Sequence, residues 1–353
     1  MSTAGLVLQD VSVRFGARAG LSGVSLAVGP GERVVLLGPS GEGKTTLLRA
    51  IAGLNELAGG TVHVGGRLVS RDRPERRGVV YLHQRPSMFP HLSVIDNVGF
   101  PMEVRGIARR EARERAVVLL ERVQLADLAE RPALALSGGQ QHRVAIARAL
   151  AAEPAVLLLD EPFNALDPAL RADVRAAVVE SLQVADGPSV LMVTHDVDEA
   201  AALGDRIAVL LGGRIVHDGV PSEVLSRPAS LAVARFLGVP NSVPGSCDGA
   251  STFTCVLGQF PSSLPAGRAV LVARADAFRV AHEGGSHRVA ASVEAVQHRV
   301  GGTTLRVRPD VATDVSLTVL PGDGALPVPG QRLLIEVFPD RVHVVATDAP
   351  PHV

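Results

Sequence analysis

The sequence predicts an α/β domain followed by a smaller domain built from β-strands. The first domain is predicted because the apolar run 34–37 leads into a glycine-rich loop and then into the helix-like run 47–52. The second is predicted because, after residue 238, short strand-like runs alternate with turn residues. We therefore expect domains at 1–238 and 239–353.

Length and composition narrow the function classes. The chain of 353 residues is long enough for about two domains, and 46% hydrophobic residues can fill sizeable cores. The net charge of −1 lacks the basic footprint of a nucleic-acid-binding protein. Aromatic residues make up only 3%, with no Trp, which disfavours a base-stacking surface. We therefore expect no nucleic-acid partner.

Targeting and redox signals are also weak. The sequence has no run of 18 or more apolar residues, and its N-terminus does not resemble a signal peptide. A cytoplasmic location is therefore expected. Cys247 and Cys255 have no second pair, so neither a zinc site nor a disulfide framework is indicated. We interpret both as small buried side chains.

The loop at 38–46 reads Gly-Pro-Ser-Gly-Glu-Gly-Lys-Thr-Thr and matches the pattern G-x-x-x-x-G-K-[ST]. Glycines let backbone N–H groups surround phosphate oxygens, and the start of the next helix adds about half a positive charge. In this pattern Lys44 reaches the β- and γ-phosphates and Thr45 holds Mg²⁺. A glycine-rich turn that binds nothing is the alternative. The predicted nucleotide-binding residues are Phe15, Gly38, Ser40, Gly41, Gly43, Lys44, Thr45 and Thr46.

Lys44 and Phe15 would contact different parts of a nucleotide. Lys44 is the only lysine, since the other basic residues among the 35 Lys and Arg are all arginine. A compact ammonium fits between two phosphates, where a planar guanidinium does not substitute easily. Phe15 could stack on an adenine ring, or it could be a core aromatic near a turn.

A second candidate anion site lies at residues 137–143. Ser137 is a good helix N-cap, and Gly138 and Gly139 expose backbone N–H groups at the start of the helix. One nucleotide does not need two such sites in one chain. Gln84 follows the strand-like run 79–82 and could contact Mg²⁺ or a water, or could be an ordinary polar loop residue.

The Ser-Gly-Gly-Gln-Gln run at 137–141 resembles the signature sequence of ATP-binding cassette ATPases. Residues 155–162, 165–167 and 190–196 are similar to the Walker B, D-loop and H-loop elements of that family, and Gln84 to its Q-loop. The resemblance covers residues 6 to about 238. It implies a P-loop NTPase (RecA-like) core with a helical subdomain at about 86–150.

The resemblance also implies roles within one chain. Thr45, Gln84 and Asp160 would be the metal-binding residues, with Asp160 acting through water. Glu161 would orient or deprotonate the attacking water, and His195 would hydrogen-bond the γ-phosphate. The alternative for His195 is a capped histidine at a strand end. Glu161, His195 and Gln84 are thus the predicted catalytic residues, and the cofactors are ATP and Mg²⁺.

In the family, the signature of one subunit closes over the nucleotide held by another. Ser137, Gly138, Gly139 and Gln140 would then contact the ATP of a second copy. Asp167, in the D-loop, would cross the interface of this ATP-dependent homodimer.

Two positions depart from the family pattern. Glu42 occupies a loop position where a small residue is usual, and a carboxylate near phosphates is unfavourable unless it turns out to solvent. His83 replaces the phenylalanine common before the Q-loop glutamine. We expect neither to abolish activity.

The tail predicts short strands at 251–257, 268–273, 290–296, 303–307, 315–319, 332–337 and 341–345. With residues 236–241 before them, they resemble the OB-like regulatory domain (TOBE type) of bacterial importer ATPases. The implied partners are integral membrane permease subunits, docking at 89–98, and indirectly a solute-binding protein, which would place the chain at the inner face of the membrane. The solute could be ferric ion, an oxyanion, thiamine or a polyamine. Alternatives are an exporter ATPase and, less in keeping with the spacing of about 90 residues between Lys44 and Ser137, a soluble cassette protein.

Overall fold

The structure is a computed structural model, and it describes residues 5–15, 18–85, 87–164, 168–182, 187–281, 287–299, 302–322 and 324–347. The chain divides into two compact units, Met1–Pro221 and Ser222–Val353. In the part of the chain that the structure describes, no helix is both long enough and apolar enough to cross a bilayer.

The strands of the first unit are β1 (Leu6–Phe15), β2 (Arg18–Val28), β3 (Arg33–Leu37), β4 (Gly59–Val64), β5 (Arg67–Leu68), β6 (Val79–Leu82), β7 (Val156–Asp160), β8 (Ser189–Thr194), β9 (Arg206–Leu211) and β10 (Arg214–Gly219). Its helices are α1 (Lys44–Ile51), α2 (Val94–Val104), α3 (Arg109–Arg122), α4 (Gly138–Ala151), α5 (Pro168–Leu182) and α6 (Val197–Leu203). This alternation of strands and helices confirms the predicted α/β class.

The central sheet of this unit has six strands in the order β10-β9-β3-β8-β7-β6. Strands β9, β3, β8, β7 and β6 are parallel, and only the edge strand β10 is antiparallel. Strands β7 and β8 are buried along their whole length, as expected for apolar runs covered on both faces. Because parallel strands end at the same edge, the residues that follow β3, β7 and β8 lie side by side.

A second sheet, β2-β1-β4-β5, is antiparallel and shares its core with the loop helix α1. Buried Arg77 fixes the end of α1. Its guanidinium donates to the carbonyls of Ala50 and Ile51, and also to those of Ser70 and Asp72. A cation that binds the last carbonyls of a helix complements the negative end of its dipole. The C-terminal end of α1 is therefore fixed by Arg77.

Helices α2, α3 and α4 form a cluster with an apolar core of their own within the predicted helical region. Two of them begin at serine caps, as the sequence predicts for α4: the Ser93 side chain accepts from Asp96 N and the Ser137 side chain from Gln140 N. Helix α3 buries Ala112, Ala116 and Leu120 at four-residue spacing.

The second unit contains α8 (Leu231–Phe236) and the strands β11 (Asn241–Cys247), β12 (Thr252–Cys255), β13 (Gly258–Pro261), β14 (Gly267–Ala273), β15 (Phe278–Val280), β16 (Arg288–Arg299), β17 (Gly302–Pro309), β18 (Leu317–Val319), β19 (Arg332–Val337) and β20 (Val342–Ala346), while α7 (Pro221–Ser226) spans the division. They form two antiparallel sheets, β13-β12-β11-β14-β20 and β15-β19-β16-β17-β18, around one apolar core. The predicted all-β class of this part is confirmed.

The division between the units lies earlier than the boundary expected at residue 238. The reason is the packing of α8, whose Leu231 and Ala234 lie against Val270, Val272 and Val345 of the second unit. The two cysteines are free thiols. Cys247 is buried, but the structure corrects the interpretation of Cys255, which is only partly buried.

Candidate active site

The loop between β3 and α1 has a shape that its glycines determine. A Cβ at Gly38 would lie 2.6 Å from the backbone oxygen of Leu210, so no larger residue fits there. Gly41 and Gly43 have φ of 88° and 92°, in the left-handed region that favours glycine. The loop therefore curls tightly after the strand and leaves the N–H groups at the start of α1 without partners in the helix.

Lys44 is the first residue of α1, and its side chain folds back over the loop. Its ammonium donates to the carbonyls of Gly38 at 2.7 Å and of Pro39 at 2.8 Å. Only 5% of the residue is exposed. Burial lowers the pKa of Lys44, while Glu161 and the other nearby carboxylates act in the opposite direction. The loop thus surrounds its cation closely.

Thr45 and Asp160 are brought together from residues 115 positions apart. The Thr45 hydroxyl donates to Asp160 Oδ1 at 2.8 Å, and the Tyr81 hydroxyl donates to Oδ2 at 2.7 Å. Burial, followed by the bond to Asp160, raises the pKa of Tyr81, so the phenol keeps its proton and acts as the donor. Hydroxyl and carboxylate oxygens are the donors that suit Mg²⁺. The residues present therefore fit a magnesium ion.

Glu161 follows directly after β7 and has an unusual backbone. Its φ is 44°, one of four positive values at non-glycine residues in the described part of the chain. Such a conformation costs on the order of 1–3 kcal/mol and is found most often at functional sites. The carboxylate accepts from Asn164 Nδ2 at 2.9 Å and lies 3.3 Å from His195 Nδ1. Glu161 is thus held beside the imidazole at the end of the neighbouring strand.

His195 stands directly after β8 on a well-supported segment. The preceding Thr194 donates its hydroxyl to buried Glu199 at 2.7 Å, and Asp196 caps α6 by accepting from the N–H groups of Asp198 and Glu199. Burial raises the pKa of the Glu199 carboxyl. These contacts fix the backbone on both sides of His195, whose side chain is 43% exposed.

Gln84 makes its described contact through its backbone and not through its side chain. The residue is exposed, and among the described residues no hydrogen bond joins its side chain to Thr45 or Asp160. Its backbone carbonyl lies 3.1 Å from Nε2 of buried His142, whose Nδ1 is 3.3 Å from the carbonyl of Gly138. One imidazole therefore bridges the Gln84 segment and the start of α4.

The start of α4 carries the four signature residues. Ser137 and Gln140 form a reciprocal capping box, in which each side chain bonds the other's backbone N–H. Gly139 is close-packed, since a Cβ there would lie 3.1 Å from Val174. At Gly138 a Cβ would meet no atom of the described residues within 4 Å. The described part of the chain therefore gives no steric reason for a glycine at residue 138.

The Glu42 carboxylate turns neither to the loop interior nor to open solvent. Its Oε2 accepts a hydrogen bond of 3.0 Å from the backbone N–H of Gly213, in the turn between β9 and β10. The contact spans 171 positions and is partly buried. Glu42 thus anchors the loop to a neighbouring hairpin, and the repulsion expected from the sequence is reduced by this bond.

The charge and the anchoring bond of Glu42 can be separated by two substitutions. We expect Glu42→Gln, which keeps an acceptor for Gly213 without the charge, to bind ATP about 3–5-fold more tightly, because nearby like charges cost on the order of 1 kcal/mol. Glu42→Ala lacks both the charge and the acceptor for Gly213, and it should bind ATP more weakly than Glu42→Gln does. Equilibrium titrations at two salt concentrations would measure this, since salt should reduce the gain. Equal affinities of the two variants would contradict an anchoring role.

Four further predicted residues lie in or near the loop or outside the described residues. Ser40 is exposed in the loop, and Thr46 is partly buried in the first turn of α1. Phe15 ends β1, but its side chain lies outside the described part, so neither interpretation of it is tested. Asp167 lies outside the described residues as well.

Three residues of the site were not predicted as such. Tyr81 was interpreted only as part of a strand, and neither Asn164 nor Glu199 was singled out. Each was detectable in part: Tyr81 is the only tyrosine and stands near the end of a predicted strand, and Asn164 follows Glu161 by three residues. Their partners, however, depend on how the strands are arranged in the sheet.

Comparison with known proteins agrees with this geometry. Residues 21–164 match the family described as ABC transporter. A Fe(3+) ions import ATP-binding protein of Rhizobium meliloti is 45% identical over 243 residues, which cover 69% of this chain and 68% of the relative. The chain belongs to the ABC transporter family. It is thus an ABC-type ATPase that binds ATP.

Other relatives of the ABC subunit are named for different solutes. A Fe(3+) ions import ATP-binding protein of Streptomyces avermitilis is 44% identical over 280 residues, covering 78% of this chain and 80% of the relative. An alpha-glucoside transport ATP-binding protein of Rhizobium meliloti is 40% identical over 268 residues, covering 75% and 72%. The similarity of the ABC subunit to these relatives therefore varies little with the solute in their names.

Proposed function

We propose that the chain is the ATP-hydrolysing subunit of a bacterial importer and works with separate integral membrane permease subunits. The observation that carries the proposal is the convergence of Lys44, Thr45, Asp160, Glu161 and His195 at one edge of the parallel sheet. Removal of a γ-phosphate requires positioning and neutralisation of charge more than covalent chemistry. This edge supplies a cation, oxygen donors and a carboxylate.

Each residue has a part in the proposed reaction. Lys44 would neutralise the β- and γ-phosphates, and the loop N–H groups would bind their oxygens. Glu161, held by Asn164 and His195, would orient the attacking water and accept its proton. His195 would donate to the γ-phosphate. Magnesium, held by Thr45 and Asp160 with Gln84 as a third candidate, would supply further charge neutralisation.

The signature residues support an ATP-dependent homodimer. Gly138 is exposed, and the steric requirements within one chain do not demand a glycine there. A phosphate group that approaches the start of α4 closely would demand one. We infer that this phosphate belongs to ATP held by a second copy. Asp167 would lie at the same interface.

Light scattering on a variant that binds ATP without hydrolysing it tests the homodimer. With Glu161→Gln, we expect ATP and magnesium to convert the 36.7 kDa monomer into a dimer of about twice that mass. Gly138→Arg serves as a matched variant, because its side chain has open space within one chain but would obstruct the second copy. The shared site would be contradicted if Glu161→Gln stayed monomeric with ATP and magnesium. It would also be contradicted if Glu161→Gln and Gly138→Arg both formed dimers.

The names of the relatives support a proposal about the solute and about the proteins that select it. ATP-binding proteins named for ferric ion import and for alpha-glucoside transport match this chain at 45% and 40% identity, so we assign solute choice to the permease and to a solute-binding protein. Ferric ion is the solute of several relatives and the first to test. We further propose that the β-rich second unit is a TOBE-type regulatory domain and that the subunit lies at the inner face of the membrane.

A further inference from the structure

Tyr81 contacts the proposed metal-binding carboxylate at the oxygen that the loop helix does not bind. It lies in β6, which pairs in parallel with β7, and its register partner is Leu158, two residues before Asp160. The phenol donates to Asp160 Oδ2, while Oδ1 accepts from Thr45 of α1. Two hydroxyls from two different elements therefore fix the two oxygens of a single carboxylate.

We propose that Tyr81 is a positioning residue for magnesium binding, because its hydroxyl holds Asp160 Oδ2 and thereby directs Oδ1 towards Thr45. The proposal rests on the proposed function, since it concerns the magnesium site of the same ATPase. Asp160 is only 5% exposed, so a lost partner leaves a buried carboxylate oxygen without a hydrogen bond. Partners of this kind behind a metal ligand commonly change metal affinity 10–100-fold.

Tyr81 also lies close to the segment that carries Gln84. Its ring packs against the imidazole of His83, with ring centroids 4.3 Å apart, and His83 directly precedes Gln84. The end of β6 therefore carries both the hydroxyl that holds Asp160 and the residue proposed as a further metal ligand. A shift of this strand end would move both together.

Tyr81→Phe removes the hydroxyl and keeps the ring and its packing on His83. We expect the variant to need about 10-fold more Mg²⁺ for half-maximal Mg²⁺-dependent ATP binding, whereas its ATP affinity in EDTA stays unchanged. At saturating Mg²⁺ its hydrolysis rate should recover towards that of the unaltered protein, which a purely structural defect would not do. Thermal melting would check that the variant and the unaltered protein are both folded. If both are folded and need the same Mg²⁺ concentration, the proposal is overturned.

Fluorescence provides a second readout, because Tyr81 is the only tyrosine and the chain has no Trp. Carboxylates quench a phenol that is hydrogen-bonded to them, and a carboxylate that shares its charge with a metal quenches less. In Glu161→Gln, Mg²⁺ added to the ATP-bound protein should therefore raise the tyrosine emission, relative to the same nucleotide in EDTA. Tyr81→Phe contains no tyrosine and therefore measures the background emission.

The outcomes separate this proposal from the proposed function. Mg²⁺-dependent ATP binding without any change in tyrosine emission would overturn the role of Tyr81 and leave the ATPase assignment intact. Failure of the unaltered protein to bind ATP, with or without Mg²⁺, would overturn the proposed function itself.

Discussion

Replacement of Glu161 by glutamine is expected to lower the rate of ATP hydrolysis about 100-fold or more, because loss of a general base typically costs 10²–10⁴-fold. The amide keeps the size of the side chain and an oxygen that can accept from Asn164, so the fold and ATP binding should change little. Phosphate release at saturating ATP measures the rate, and equilibrium titration measures the affinity.

The chain offers a matched control for this substitution. Glu153 also has a positive φ, of 48°, but its carboxylate pairs with Arg105 away from the loop. Glu153→Gln therefore removes the same charge from the same type of backbone without touching the site, and it should retain the hydrolysis rate. If Glu161→Gln also hydrolyses ATP at the original rate, Glu161 does not act as the base.

Replacement of Lys44 by alanine should weaken ATP binding at least about 100-fold. Hydrogen bonds to charged groups contribute about 1.5–3 kcal/mol each, and the ammonium can direct at least two at phosphate oxygens. The ammonium is held against the loop by the carbonyls of Gly38 and Pro39, which places it at the proposed phosphate site. Titration with ATP in EDTA measures the loss without interference from magnesium.

Lys44→Arg tests whether charge alone is sufficient. Arginine supplies every other basic side chain in this protein, yet its planar group is wider than an ammonium and cannot enter the same space between two carbonyls. We therefore expect Lys44→Arg to bind ATP nearly as weakly as Lys44→Ala. Binding at the original affinity would show that the narrow shape of the lysine is not required.

The features that the sequence predicted well are those defined by consecutive residues. The glycines and Lys44 of the loop occupy fixed positions in a short pattern. Asp160 ends the strand with the apolar run 156–159, and His195 comes shortly after the apolar run 190–193. Once such runs are assigned to a parallel sheet, the meeting of their ends follows from topology. The α/β core and the neighbourhood of the main site residues were therefore predictable.

Contacts between distant positions could not be predicted in the same way. Tyr81 and Asp160 are 79 residues apart, and Glu42 and Gly213 are 171 apart, so no local pattern links either pair. Their contacts depend on strand order, which a single sequence specifies only through packing.

At β11, two residues that are typical of turns lie within a strand. Pro244 and Gly245 are both part of β11. Pro244 stands before the pairing with β12 begins, so its missing N–H removes no bond on that side. Gly245 is required because a Cβ would lie 2.5 Å from the ring of Phe253. Close packing, and not a turn, explains this glycine.

The turn between β9 and β10 has a mechanical consequence. Gly213 donates its N–H to Glu42 and accepts at its carbonyl from the N–H of Ser22 in β2, and a Cβ there would collide with the Gly20 oxygen at 2.6 Å. The N–H and the carbonyl of this one residue thus connect the proposed phosphate-binding loop to the strand pair that carries Phe15. Lengthening this turn by a single residue would uncouple those two regions without altering any side chain in either of them.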